Sequence, residues 1–331
     1  MANNNIIGNW VRRFLMEYLI GERNLSQNTQ ASYRDTFVLL LPFAAKRCKK
    51  SIEELSVNDV DPDIVRLFLQ YLEKDRNCCV ATRNQRLAAV RSLAHFIGER
   101  SPEQIAWSAK ICSIPFKKDF TEVMSYLEKP EMDALLDSPD RKTSQGRRDY
   151  ALLLFMYNTG ARASEAANVT IADLNFDGIP SVRILGKGNK ERYCPLWPLT
   201  VATLRCFVEG RATNEPVFLN RRKQPITRFG IYFLVKRCVS KACEKVTSLC
   251  NKNVSAHTIR HTTAVHLLRS GVDINTIRAW LGHISLDTTH VYAEVDLEMK
   301  AKALDHCKIM GIPQNGDWNK KPKLMDFLKA L

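Results

Sequence analysis

The residues best suited to chemistry fall in five short strings. Thr159-Gly160-Ala161-Arg162-Ala163-Ser164-Glu165 places an arginine just beyond a glycine that suits a helix stop. A guanidinium held at such a junction can fork onto a phosphate. Ser164 and Glu165 suit the start of the next helix. Gly186-Lys187-Gly188-Asn189-Lys190-Glu191 puts Lys187 at the tip of a glycine-bearing turn, where an ammonium can give a proton to a leaving alkoxide. In His257-Thr258-Ile259-Arg260-His261, His257 and Arg260 are three apart and share a helical face. That pair can hold a phosphodiester and handle a proton beside it. In Leu281-Gly282-His283 the glycine closes one helix, and Thr288-Thr289-His290-Val291-Tyr292 ends nine residues beyond His283. The Tyr292 phenol has an ordinary pKa of about 10 and needs help to act as a nucleophile. Each string alone has a plainer explanation. A tyrosine in a helix is normally a core residue with a satisfied hydroxyl, an isolated arginine faces solvent, and a lysine at a turn is solvated. His261 and His266 carry no role beyond packing or surface.

These strings need elements to hold them. Apolar spacing predicts four helices over the first ~105 residues. Their stripes are Ile7, Trp10, Val11, Phe14 and Tyr18; Tyr33, Phe37, Leu40, Leu41 and Ala44; Ile64, Leu67, Phe68, Tyr71 and Leu72; and Leu87, Val90, Leu93, Ala94 and Ile97. Ser26 to Thr29 supplies N-cap candidates, and Asp61-Pro62-Asp63 opens the third helix with proline in a permitted first-turn position. The fourth helix sets Arg83, Arg86 and Arg91 on a side away from its apolar face. Weak periodicity, Pro102, Pro115 and the Lys117-Lys118 pair mark the segment from Ser101 to about Glu128 as a connection. Helix resumes from Pro130. Ser181–Leu185 and Arg192–Leu196 read as two strands around the Lys187 turn. Helices are expected over Leu199–Val208, Phe229–Val246, Thr258–Arg269, Ile274–Leu281 and Leu286 to about Cys307.

The chain has 331 residues, enough for two domains. Its 49 basic and 35 acidic residues leave a net charge of +14, which favours a polyanionic partner without choosing among DNA, RNA and anionic membrane. No apolar run reaches the ~18 residues of a membrane span, and Met1–Asn9 lacks the layout of a signal peptide. A cytoplasmic location is the expectation. The ten cysteines are scattered without a CxxC pair, as expected of free thiols and not of a zinc site.

Taken together, the strings resemble the active-site hexad of the tyrosine recombinases, the phage integrase family. The order Arg162, Lys187, His257, Arg260, His283, Tyr292 fills every position with the family's residue types. The resemblance covers about residues 128–307. It extends more loosely to the N-terminal part, where Leu25-Ser26-Gln27-Asn28-Thr29 and Tyr33-Arg34 look like the start of the family's core-binding domain. One small departure is Ala161, where a larger apolar residue is usual. The resemblance implies a mostly helical protein with a small β-sheet, arranged as a clamp of two domains around duplex DNA. The divisions expected are a helical core-binding (SAM-like) domain over 1–105, a linker over 106–128, a catalytic domain over 129–310 and a C-terminal tail over 311–331. DNA-binding candidates are Arg83, Arg86, Arg91, Lys117 and Lys118.

The implied chemistry is attack by Tyr292 on the scissile phosphate to form a 3′-phosphotyrosyl bond and free a 5′-hydroxyl. Arg162 and Arg260 then stabilise charge on the non-bridging oxygens. His257 acts as general base, Lys187 as general acid, His283 binds the phosphate, and Glu165 orients its neighbours. The phosphotyrosine conserves bond energy, so neither a metal nor any other cofactor is expected. The lack of a GxxxxGK[ST] string and of an obvious carboxylate cluster fits that expectation. The expected partners are double-stranded DNA sites and three further copies, or related recombinases, in a tetramer. The tail residues Leu324, Phe327, Leu328 and Leu331 form one apolar helical face that would dock in cis or on a neighbour. Integration, excision or transposition of a mobile element is the expected role. Two alternatives remain: a monomeric type IB topoisomerase, which shares the nucleophile and arginines, and a DNA-binding regulator that no longer cuts.

Overall fold

A computed structural model describes residues 5–118, 124–186, 188 and 190–282. The chain divides into two units, Met1–Glu122 and Val123–Leu331.

Apart from an isolated bridge between Ile6 and Ser56, the regular elements among the first unit's described residues are helices. Its helices are α1 (Ile7–Arg13), α2 (Gln27–Cys48), α3 (Pro62–Lys74), α4 (Val80–Arg100) and α5 (Ile105–Cys112). From α1 the chain runs on as a π-helix over Phe14–Glu22, closed by the Arg23 N–H donating to the Tyr18 carbonyl at 2.8 Å. Ser26 caps α2 by accepting from the Thr29 N–H, and Asp61 caps α3 by accepting from the Ile64 N–H at 2.7 Å. The expected stripes of α1, α2 and α4 form the core, centred on Phe14, whose ring meets those of Tyr33, Phe37 and Phe96. In α3 the buried face is Val65, Phe68, Leu69 and Leu72, while Leu67 is exposed. The stripe is therefore rotated by one residue from the expected one.

The stretch 106–128 is not a connection throughout. Helix α5 lies against α4, and Trp107, Ile111 and Ile114 are buried in the first unit's core. The Trp107 indole N–H donates to the Val60 carbonyl at 3.0 Å. At the other end Leu127 is buried in the core of the second unit. Two prolines and an eight-residue helix gave too little periodicity to show this packing in the sequence.

The second unit comprises α6 (Lys129–Leu136), α7 (Ser144–Thr159), α8 (Ala163–Asn168), α9 (Pro198–Val208), α10 (Arg228–Cys243), α11 (Ala256–Arg269) and α12 (Ile274–Leu281). They pack with an antiparallel sheet of β1 (Leu174–Asn175), β2 (Ser181–Leu185) and β3 (Glu191–Pro195), in that order, which leaves Leu185 and Tyr193 exposed. Register pairs Val182 with Cys194 and Leu185 with Glu191, so β2 and β3 form the hairpin expected around Lys187. Strand β1 is too short for an alternation signal. Val182, Ile184 and Cys194 face inward, and α7 is buried along most of its length. Nine cysteines lie among the described residues, and all are free thiols. None of the described helices is long and apolar enough to cross a membrane. The predicted helix from Leu286 to about Cys307, and the tail face of Leu324, Phe327, Leu328 and Leu331, lie outside the described residues.

Candidate active site

The site is built on two helix ends. α7 stops at Gly160 and α12 stops at Gly282, both left-handed, with φ of 60° and 67°. These are the stops expected from the sequence, since glycine takes positive φ at little cost. Gly160 is also a point of close approach, because a Cβ there would lie 2.4 Å from Leu281 Cδ2. Each helix end leaves carbonyls without intrahelical partners. Side chains from α11, α12 and β3 supply the donors. Arg260 donates through Nη1 to the Gly160 carbonyl and through Nη2 to the Leu281 carbonyl, each at 2.7 Å. Thr263 donates to the Tyr157 carbonyl at 2.8 Å, and Trp280 Nε1 to the Asn158 carbonyl at 3.2 Å. Arg192 Nε donates to the Trp280 carbonyl at 2.9 Å. Cations at helix C-termini also meet the negative end of the dipole. Arg260 is 1% exposed, so its charge is held by these oxygens and not by water.

Beside this knot, Arg162 opens α8. Its backbone N–H donates to Glu165 Oε2 at 2.9 Å, which is the carboxylate's half of a capping box. Its Nη1 donates to Glu165 Oε1 at 2.7 Å, and Arg192 Nη2 donates to Glu165 Oε2 at 2.7 Å. Burial pushes the Glu165 carboxyl up, but the hydrogen bond and charge of Arg192, with both contacts from Arg162, hold it down at about 2. Glu165 is therefore a carboxylate throughout the physiological range.

Arg162 and His257 line one cavity of about 460 Å³, walled on another side by Arg228, Phe229 and Tyr232 of α10. Partial desolvation, then the charges of Arg260 and Arg162, push the His257 imidazole below the usual histidine value. Its ring meets that of His261 edge-on at 4.5 Å. His261 is pushed down to about 4 by burial, then by His257 and Arg260. Both rings are thus neutral near pH 7, and a neutral imidazole is able to accept a proton. A surface of fixed cations with an adjacent neutral base suits a phosphate diester and a proton leaving a nucleophile.

The structure brings Arg162, His257, Arg260 and Glu165 together from two segments roughly 100 residues apart. Lys187, His283 and Tyr292 lie outside the described residues. The N-terminal candidates are spread along α4 and the segment after α5. Arg86 Nη1 donates to the Ser32 carbonyl at 3.2 Å and the Thr36 hydroxyl at 3.1 Å, tying α4 to α2. Arg83 donates to the Pro115 carbonyl at 3.2 Å, Arg91 covers the Phe116 ring at 4.8 Å, and Lys117 pairs with Glu73 at 2.6 Å. Lys118 is exposed. Sequence reasoning missed Arg192, Trp280 and the α10 wall. The signal for Arg192 was its place in Gly-Asn-Lys-Glu-Arg, directly after the turn bearing Lys187.

A helical N-terminal unit, a helical second unit with a small antiparallel sheet, and an arginine–histidine cluster define a two-unit protein built for phosphodiesters. The chain belongs to the phage integrase family: residues 125–299 match that family, and 11–100 match its N-terminal SAM-like domain. It is a site-specific tyrosine recombinase/integrase, which catalyses DNA cleavage and rejoining. It is 37% identical over 293 residues to a Sinorhizobium fredii protein named as an integrase/recombinase, covering 88% of both chains. Identity to tyrosine recombinase XerC of Pelobacter propionicus is 32% over 305 residues, covering 89% of this chain and 93% of that one. In fold it is similar to XerH site-specific recombinase bound to difH substrate, with TM-score 0.67 and 21% identity over 91% of this chain and 95% of that one. The Tn1549 transposon integrase, solved with transposon right end DNA, gives TM-score 0.68 and 16% identity over 90% and 98%.

Proposed function

We propose that Tyr292 is the nucleophile and that Arg162, Lys187, His257, Arg260 and His283 complete the active site. The observation that carries this reading is the meeting of Arg162 and His257 at one cavity, with the buried Arg260 charge acting on His257. The Tyr292 oxygen attacks the scissile phosphorus as its proton passes to His257. The phosphorus–O5′ bond breaks, and Lys187 protonates the departing oxygen. A 3′-phosphotyrosyl bond and a 5′-hydroxyl result. Arg162 and Arg260 neutralise charge growing on the non-bridging oxygens, where fixed donors contribute most. His283 hydrogen-bonds the phosphate, and Glu165 fixes Arg162. The reverse reaction, with a 5′-hydroxyl from another strand, completes exchange without cofactor.

In this reading the partner is double-stranded DNA, and four copies act on two sites. Arg83, Arg86, Arg91, Lys117 and Lys118 supply backbone contacts, and the +14 charge supports a phosphate-rich partner. Service to a mobile element, by integration, excision or transposition, is supported by the 37% identity to the integrase/recombinase.

The test is a nicked substrate that traps the covalent complex. With EDTA present and no nucleotide, the protein should give a protease-sensitive band on a denaturing gel. Tyr292→Phe should bind the same DNA and give no band. An adduct persisting in Tyr292→Phe, or an absolute metal requirement for cleavage, would overturn the reading. A plasmid carrying two sites should yield exchanged segments, whereas a regulator leaves it unchanged.

A further inference from the structure

We propose that Arg192 is a positioning residue for strand cleavage, which fixes the Arg162 guanidinium through the carboxylate of Glu165 and ties the start of α8 to the end of α12. The inference rests on the reading of Arg162 given above. Arg192 stands second in β3, the strand that follows the Lys187 turn. Its side chain is 9% exposed and makes two directed contacts, to Glu165 Oε2 at 2.7 Å and to the Trp280 carbonyl at 2.9 Å. Glu165 in turn holds Arg162 by its backbone and by its guanidinium. One buried carboxylate thus orients two arginines. The first faces the cavity with 37% of its side chain exposed, and the second is enclosed.

The surroundings are fitted to the Arg192 side chain. A Cβ on Gly282 would lie 3.2 Å from Arg192 Cδ, and one on Gly186 would lie 3.6 Å from Nη1. Arg192 therefore runs between the hairpin and the residue just before His283. A buried ion pair adds little net stability over an apolar pair of similar volume. What Arg192 supplies is direction: its rigid guanidinium aims one donor at the Glu165 carboxylate and another at the Trp280 carbonyl, a pairing that an ammonium cannot reproduce. With Arg192 absent, Glu165 keeps only the backbone N–H and the guanidinium of Arg162, and the carboxylate is no longer tied to β3. A misplacement of about 1 Å at a reacting phosphate can cost about 100-fold in rate.

The experiment compares the full chain with Arg192→Gln and Arg192→Lys, in single-turnover cleavage of two DNA substrates. One carries the ordinary scissile phosphodiester. The other carries a methylphosphonate there, which lacks one charged oxygen and so needs Arg162 less. Half-site binding and thermal melting are read in parallel. On the phosphodiester, Arg192→Gln should cleave about 10- to 100-fold more slowly than wild type, with Arg192→Lys between them. Half-site binding should stay within about threefold, since the altered group acts on the rate and not on the affinity. On the methylphosphonate the loss should shrink to about threefold or less, as it should for Arg162→Ala. An equal loss on both substrates, an unchanged rate, or failure of both variants to fold would each overturn the proposal. If wild type forms no phosphotyrosyl adduct, the reading of the active site has failed instead. If wild type forms it and Arg162→Ala is not selectively restored, the role of Arg162 has failed.

Discussion

The two units differ in whether they bury arginine. In the N-terminal unit arginines lie over rings: Arg13 over Trp10 at 4.9 Å, Arg47 over Phe43 at 5.5 Å and Arg100 over Phe96 at 4.2 Å. Their charges stay at the surface while their stems cover apolar groups. In the catalytic unit Arg260 and Arg148 are buried, and Arg260 replaces water with two helix-end carbonyls. The first unit is held by apolar and aromatic burial, to which arginines are added. In the second, arginines also lie over rings, as Arg141 does over Tyr150 at 3.7 Å, but two are buried, and Arg260 joins segments about 100 residues apart from inside the core. A buried guanidinium with fixed acceptors forms a positive field that does not reorganise when a phosphate arrives, which is what stabilising a transition state requires.

That contrast can be broken most directly at Arg260. Arg260→Met removes the donors to Gly160 and Leu281 and leaves two carbonyls unpaired. We expect a loss of about 2–5 kcal/mol in denaturant unfolding, together with loss of detectable cleavage. Arg162→Ala should abolish cleavage equally while costing about 1 kcal/mol or less, because its pairing is partly exposed. Equal destabilisation by the two variants would remove the distinction between a buried and a rim arginine. In the first unit the corresponding change is Phe14→Ala. It removes a fully buried ring with several ring neighbours and should cost about 3–5 kcal/mol.

Gly160→Ala should be milder. It places a side chain at φ 60° against Leu281, and we expect about 1–3 kcal/mol of destabilisation by thermal melting. The last effect concerns pH. The Glu165 pKa falls from its ordinary 4.5 to about 2 on folding. Its stabilisation is therefore complete above the ordinary value and is lost as pH falls through about 2. The gap in stability between wild type and Glu165→Gln should be constant above pH ~5 and narrow steadily below it.

The first unit was the more legible in sequence, because its core is periodic. Phe14, Phe37, Leu40, Val90 and Ile97 stand on stripes that any helix of that sequence must bury. In α3 neighbouring apolar residues allowed two faces, and only packing selects Val65 and Leu69 over Leu67. In the second unit Gly160 and Gly282 were legible as helix stops, and His257 with Arg260 as one face. The knot itself was not. Hydrogen bonds from Arg260 to Gly160 and from Arg192 to Trp280 span roughly 100 and 88 residues, and no local spacing encodes such partners. Arg192 reads as an ordinary strand arginine until Glu165 is placed beside it.

In the function proposed above, strand breakage passes through an ester on Tyr292. The most direct measurement traps the protein on a nicked site, digests the adduct with trypsin and sequences the DNA-linked peptide by mass spectrometry. The nucleotide is expected on Tyr292, within the peptide 279–300. An adduct on a serine or on any other tyrosine, or cleaved DNA with no protein attached, would contradict it.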